Sequence, residues 1–175
     1  MVTFNHKSVF VGVLLSLCEL CSGELLGLSF GLFEDSIMEY FKADADAHAS
    51  THGSPEMAKK AVDAGWKNLK RAPEHFMGLG SVSLAMCLFI ALSPAPRKVQ
   101  LISSTAVGFG ALCYPAFWAL TAYRSPSMGA HAAKESLALM AQAGACSGFL
   151  GLVPVTCLAI WWAFRKTSPD STSRS

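Results

Sequence analysis

Residues Val9 to Phe33 read VFVGVLLSLCELCSGELLGLSFGLF, and this stretch decides the fold. An α-helix rises about 1.5 Å per residue, so a run of this length crosses a hydrocarbon layer of roughly 30 Å. A cleavable signal peptide ending near Gly23 is the alternative, but the apolar run continues well beyond that point. Three further apolar runs follow it. The sequence therefore predicts an all-α protein, an antiparallel bundle of four transmembrane helices.

The composition also indicates a membrane protein. The chain has 175 residues, of which 52% are hydrophobic and 15% charged, whereas a soluble domain carries about 25% charged residues. A net charge of +2 without a basic stripe argues against a nucleic-acid partner. The six cysteines all fall within apolar runs, so we expect no disulfide framework.

We expect a single integral membrane domain over residues 1–166, followed by a disordered tail over 167–175. The predicted spans cover about 9–33, 75–92, 99–123 and 136–164. The short turn between spans two and three predicts an antiparallel hairpin. Arg165 and Lys166 directly follow an aromatic belt, which favours both termini on the cytosolic or matrix side. A plasma membrane and an inner mitochondrial membrane both fit this topology.

A short amphipathic helix is predicted between spans one and two, over about 55–71. Ser54 is a good N-cap, Pro55 suits the first helical position, and Pro73 is expected to end the helix. Apolar residues share one face of this helix and lysines the others. The apolar face either lies at the membrane interface, with Trp66 as an anchor, or packs on neighbouring helices.

Small residues and one acid share a face of the first span, which we call the small-residue stripe. At about 100° per residue, the stripe comprises Gly12, Ser16, Glu19, Gly23 and Gly27, with Glu24 and Gly31 at its border. Small residues four apart let helices approach closely, as in a glycine zipper. An acid inside a bilayer is costly, so we expect both glutamates to be neutral. They either hydrogen-bond between helices or belong to a proton or cation pathway.

The histidines suggest two cofactor sites as alternatives to a chain without a cofactor. If the helix after span one continues, Asp44, His48 and His52 share one face and could ligate a divalent metal. His75 and His131, at the ends of spans two and four, could be axial ligands of a haem near the membrane surface. A flexible polar loop with unligated histidines is the simpler interpretation, and no cofactor is favoured.

Two motifs resemble segments of small uncharacterised four-span integral membrane proteins. They are Arg71-Ala72-x-x-His75-Phe76-x-x-Leu79-Gly80, which opens span two, and Tyr114-Pro115-x-x-Trp118 in span three. The resemblance implies a four-helix membrane bundle and brings no known activity. The layout is also similar to the membrane-associated glutathione and eicosanoid transferases. His75 and Gly78 stand where those proteins have an asparagine and a glutamate, so no residue roles carry over.

The residues form no convergent catalytic set, and so we predict a protein without its own catalysis. The favoured function is an accessory or scaffolding subunit of a larger membrane complex, such as a respiratory or other energy-transducing one. Its partners would be the lipid bilayer and other membrane subunits or a second copy. The alternative is a haem-binding, metal-binding or proton-linked protein that uses Glu19, Glu24, His75 and His131.

Overall fold

The computed structural model describes residues 6–165, and every element in that range is an α-helix. The helices are α1 (His6–Ala47), α2 (Ala49–His52), α3 (Pro55–Leu92), α4 (Arg97–Met128), α5 (Ala130–Ser136) and α6 (Ala138–Arg165). Four of them, α1, α3, α4 and α6, are long and apolar enough to cross a membrane. The prediction of an all-α protein with four membrane-length helices is confirmed. The predicted tail over 167–175 lies outside the described residues.

The first helix is longer than a membrane requires. It has 42 residues, whereas about 20 suffice to cross the hydrocarbon. Its backbone leaves helical geometry at Phe33 (φ −134°, ψ 20°), which is where the predicted first span ends. Beyond this kink the helix continues to Ala47, well past the predicted end of the first span.

The amphipathic segment and the second span form one continuous helix, so the predicted end at Pro73 is wrong. Ser54 caps the start, since its Oγ accepts from the Met57 N–H at 3.3 Å, and Pro55 takes the first helical position. Pro73 lies inside α3. An interior proline costs about 3 kcal/mol or more, and the packing of α3 on both sides of Pro73 offsets this cost.

The apolar face of residues 55–71 is covered by protein. Val62 and Leu69 belong to a buried cluster with Phe41 and Ala45 of α1 and Ala122 of α4. Trp66 is half-buried, with its ring 5.5 Å from that of Phe30, and packs on the outside of this cluster. This part of α3 therefore packs on its neighbours, which is one of the two alternatives that the sequence allowed.

The segment between the third and fourth predicted spans, residues 124–135, is mostly helical. Helix α4 continues past its predicted end to Met128, and α5 follows after Gly129, whose φ of 86° suits only glycine. His52 ties this end of α4 to α2, because its Nε2 donates to the Pro126 carbonyl at 2.7 Å. Such contacts between distant segments stabilise short helices that sequence propensity alone does not predict.

Helix α4 is the central helix of the bundle. It packs on α1, α3 and α6, and α1 also packs along α3. Close approach of α4 and α6 depends on Gly110 and Gly148, because a Cβ on Gly110 would overlap the Gly148 backbone. By contrast, α6 scarcely touches α3. A groove therefore remains between α3 and α6, with α4 as its floor.

Candidate functional site

Buried polar side chains join α1 to the α3–α4 hairpin. The Ser8 hydroxyl donates to Gln100 Oε1 at 2.5 Å, and Gln100 Nε2 donates to the Ile90 and Ser93 carbonyls at 3.1 and 2.9 Å. Deeper in the span, the Ser16 and Ser83 hydroxyls lie 2.7 Å apart. Because lipid cannot satisfy such groups, these bonds hold the three helices in register.

Glu19 lies at the same contact but has no partner. Its side chain is 0% exposed, and neither carboxyl oxygen has a hydrogen-bond partner among residues 6–165. Gly80 of α3 faces it, so that a Cβ on Gly80 would lie 3.3 Å from Glu19 Cγ. The four predicted spans contain no lysine or arginine. A neutral carboxyl fits this setting, since burying an unpaired charge is costly.

The small-residue stripe divides into an enclosed part and an open part. A Cβ on Gly12 would overlap the Ser104 carbonyl oxygen, and one on Gly23 would lie 3.0 Å from Met77 Cγ. Gly27 and Gly31, by contrast, have no other group of the described chain within 4 Å of an added Cβ. Glu24 is exposed beside them. We call this surface the open face of α1; it comprises Cys21, Glu24, Gly27, Leu28 and Gly31.

A cluster of rings and cations lies where α3, α4 and α5 meet. The His75 ring centroid is 5.6 Å from that of Tyr114 and 6.3 Å from that of Trp118. Two cations lie over the Trp118 ring, with Arg71 Cζ at 6.0 Å and Lys134 Nζ at 5.3 Å from its centroid. Cations are attracted to the face of an indole ring. We call these five residues the mouth cluster.

Four of the five mouth-cluster residues belong to motifs that are visible in the sequence. Arg71 and His75 are four apart on one helix, as are Tyr114 and Trp118 on the next, and both pairs belong to the two motifs described above. The fold brings the two motifs into contact. Lys134 carries no such signal, because it joins the cluster only through the position of α5 after α4.

The two candidate haem ligands occupy different settings. His75 is half-buried among the aromatic rings of α4. The His131 side chain is 88% exposed on α5, with its Nε2 3.3 Å from Glu135 Oε1. Axial ligation needs two imidazoles that face one buried site. Such a site is not formed by these two side chains.

The candidate metal ligands separate at the end of α1. His48 stays with Asp44, with Nδ1 2.8 Å from the Asp44 carbonyl oxygen and 3.3 Å from its Oδ1. His52 turns instead to the Pro126 carbonyl, because the helix breaks at His48 and α2 starts afresh. Within residues 6–165, no three His, Cys, Asp or Glu side chains are grouped as metal ligands.

Two interior nucleophilic side chains, Ser16 and Cys87, are held by backbone carbonyls. Ser16 donates to the Gly12 carbonyl at 2.9 Å, and Cys87 Sγ lies 3.8 Å from the Ser104 carbonyl oxygen. A nucleophile is activated by an adjacent base, and no histidine or carboxylate takes that position at these groups. The arrangement joins helices, and the open face of α1 and the mouth cluster are the two candidate binding surfaces.

Comparison of the chain with known protein families, with curated proteins and with solved structures finds no match. The functional conclusion is therefore drawn from the chain's own surfaces.

Proposed function

We propose that this chain is a non-enzymatic accessory or scaffolding subunit of a larger membrane complex, and that its partner binds the open face of α1. A respiratory or other energy-transducing complex is one such setting. The observation that carries this proposal is the exposure of Glu24 within the first predicted span. A carboxyl at the centre of a membrane helix costs roughly 2.5–3.5 kcal/mol, and a hydrogen-bonding partner helix reduces that cost.

The glycines beside Glu24 suit a close helix contact. No side chain of the described protein covers Gly27 or Gly31, so another backbone can approach α1 there. Leu28, which is 59% exposed, lies between them and offers apolar contact area. A helix of another membrane protein is the occupant that these features support together. Glu24 needs a hydrogen bond, the two open glycines allow close approach, and the leucine adds apolar contact.

Leucine substitutions test this proposal. Gly27→Leu combined with Gly31→Leu would block the approach of a partner, and the Cβ atom at either position meets no other group of the described chain. A tagged chain is extracted from its native membrane in mild detergent, and its complexes are analysed by size-exclusion chromatography and mass spectrometry. We expect the wild type to elute with a stoichiometric membrane protein. The double variant should retain at least about tenfold less of it, since close helix contact is lost.

Gly78→Leu is the matched control. Gly78 is also an exposed glycine within a span, and no other group of residues 6–165 lies within 4 Å of an added Cβ there, but it lies on α3. We expect this variant to keep the partner. A wild-type chain that elutes as a lone monomer would contradict the proposal. An oligomer of this chain alone would contradict the accessory role.

A further inference from the structure

The groove between α3 and α6 is an apolar cavity at membrane depth. It has a volume of about 360 Å³, and Gly110, Gly144 and Gly148 form part of its lining. Leu79 and Leu152 line it as well. This volume is within the range of roughly 300–1,000 Å³ that small-molecule sites occupy. The groove therefore has room for a ligand.

The groove opens sideways. Val82 and Phe149 line it and are 51% and 66% exposed, so they form its outer rim. The surrounding segments of α3, α4 and α6 are the apolar spans. A ligand would therefore enter from the hydrocarbon, and an acyl chain is the ligand that hydrocarbon supplies.

The groove is continuous with the mouth cluster. Tyr114 lines the groove, and its ring centroid lies 5.6 Å from that of His75 and 6.2 Å from that of Trp118. Arg71 precedes the predicted second span, and Lys134 precedes α6, so both cations lie at the membrane surface. An apolar slot thus ends at a cationic, aromatic mouth.

The two cations of the mouth are available for an anion. Neither Arg71 nor Lys134 makes a salt bridge within residues 6–165, and both side chains are exposed. Of the nearby acids, Glu135 is paired with His131, and Glu74 is exposed without an ion pair in the same range. Arginine and lysine both bind phosphate through charge-assisted hydrogen bonds.

We propose that this site binds an anionic glycerophospholipid, with its phosphate at Arg71 and Lys134 and one acyl chain in the groove below Tyr114. The positive charges of Arg71 and Lys134 favour an anionic headgroup. The groove opens toward the hydrocarbon, which favours a lipid over a water-soluble anion. Basic pockets between transmembrane helices bind anionic headgroups in this manner. This site lies on α3, α4, α5 and α6, apart from the open face of α1, so it does not depend on the function proposed above.

Lipid binding to the purified full chain tests the proposal. Native mass spectrometry in a non-ionic detergent counts adducts of dioleoyl phosphatidylglycerol, dioleoyl phosphatidylcholine and oleate at equal concentrations. We expect the phosphatidylglycerol adduct to dominate. Arg71→Gln combined with Lys134→Gln should weaken it by about thirtyfold, which corresponds to two interfacial cations. Lys59→Gln combined with Lys60→Gln removes two positive charges near the start of α3, about three turns before Arg71, and should leave the phosphatidylglycerol adduct unchanged.

A substitution in the groove tests acyl-chain binding without changing any charge. Ala145 is exposed and lines the groove, so Ala145→Phe fills the slot from its rim without displacing buried groups. We expect this variant to lose the phosphatidylglycerol adduct by about tenfold, since the acyl chain loses its apolar contacts. Equal binding of the two phospholipids would overturn the proposal. An equal loss of the phosphatidylglycerol adduct in the Arg71/Lys134 variant and in the lysine-only control variant would overturn it as well. Oleate binding as tight as phosphatidylglycerol would overturn the phospholipid assignment.

Discussion

Glu19 and Glu24 occupy the same span but have different surroundings. Five positions turn a helix by about 500°, which places the two carboxyls roughly 140° apart around α1. Glu19 is 0% exposed against α3, whereas Glu24 is exposed beside Gly27. The chain itself encloses the first acid and leaves the second exposed.

The lack of a hydrogen-bond partner at Glu19 predicts the effect of its replacement. A methionine of similar length keeps the packing against Gly80 and removes the unpaired carboxyl. We expect Glu19→Met to raise the free energy of unfolding by about 1–3 kcal/mol, the typical cost of an unsatisfied buried polar group. Reversible unfolding in mixed detergent micelles measures it. Glu19→Gln keeps a polar group at the same place and serves as the control, with a change within about 1 kcal/mol.

A destabilised Glu19→Met variant would mean that the carboxyl is hydrogen-bonded in the membrane. That result would contradict the view of Glu19 as an unpaired acid and would favour the proton-linked alternative.

Helical phase alone separated the two acids. It placed Glu19 on the small-residue stripe and Glu24 at its border, and the structure buries the first and exposes the second. Phase does not say which helix covers a stripe. The enclosed contacts of Gly12 and Gly23 with α3 and α4 therefore required the fold, and so did the finding that Gly27 and Gly31 are open.

At the scale of one element, the glycines of α1 predict opposite effects of the same substitution. A Cβ on Gly12 would overlap Ser104 and lie 2.8 Å from Cys87 Sγ. We expect Gly12→Ala to lower the free energy of unfolding by about 1–3 kcal/mol, as overpacking does. Gly27→Ala meets no other group and should raise it by up to about 1 kcal/mol through helix propensity.

Both alanine variants are measured on the isolated chain, so that partner binding does not enter. Equal effects of the two substitutions would contradict the division of the stripe into an enclosed and an open part.

The sequence predicts the type of each long element correctly, but it predicts the ends of these elements less well. The apolar runs identified four membrane-length helices, and the turn after Leu92 lies where the prolines predict it. The prediction that the helix ends at Pro73 was wrong, because packing of α3 on α1 and α4 outweighs the hydrogen bond that one proline removes. The predicted spans also left residues 124–135 outside any helix, because the helices there depend on contacts such as that of His52 with Pro126.

At the scale of the whole molecule, the two proposed surfaces belong to different helices. The open face lies on α1, and the proposed lipid site is formed by α3, α4, α5 and α6, while α4 packs on α1, α3 and α6. The mouth cluster joins Arg71 and Lys134, which are far apart in the chain, across the Trp118 ring. Sequence spacing predicts pairs on one helix. It does not predict that Lys134, from a different helix, contacts the Trp118 ring.

Site-specific photo-crosslinking in the native membrane tests the central claim most directly. A photoreactive residue at position 28 lies on the open face, and one at position 150 lies on α6, where Leu150 is 67% exposed. We predict a discrete adduct with another membrane protein from position 28 and only lipid adducts from position 150. The absence of a protein adduct at position 28, or the same adduct from both positions, would contradict the account.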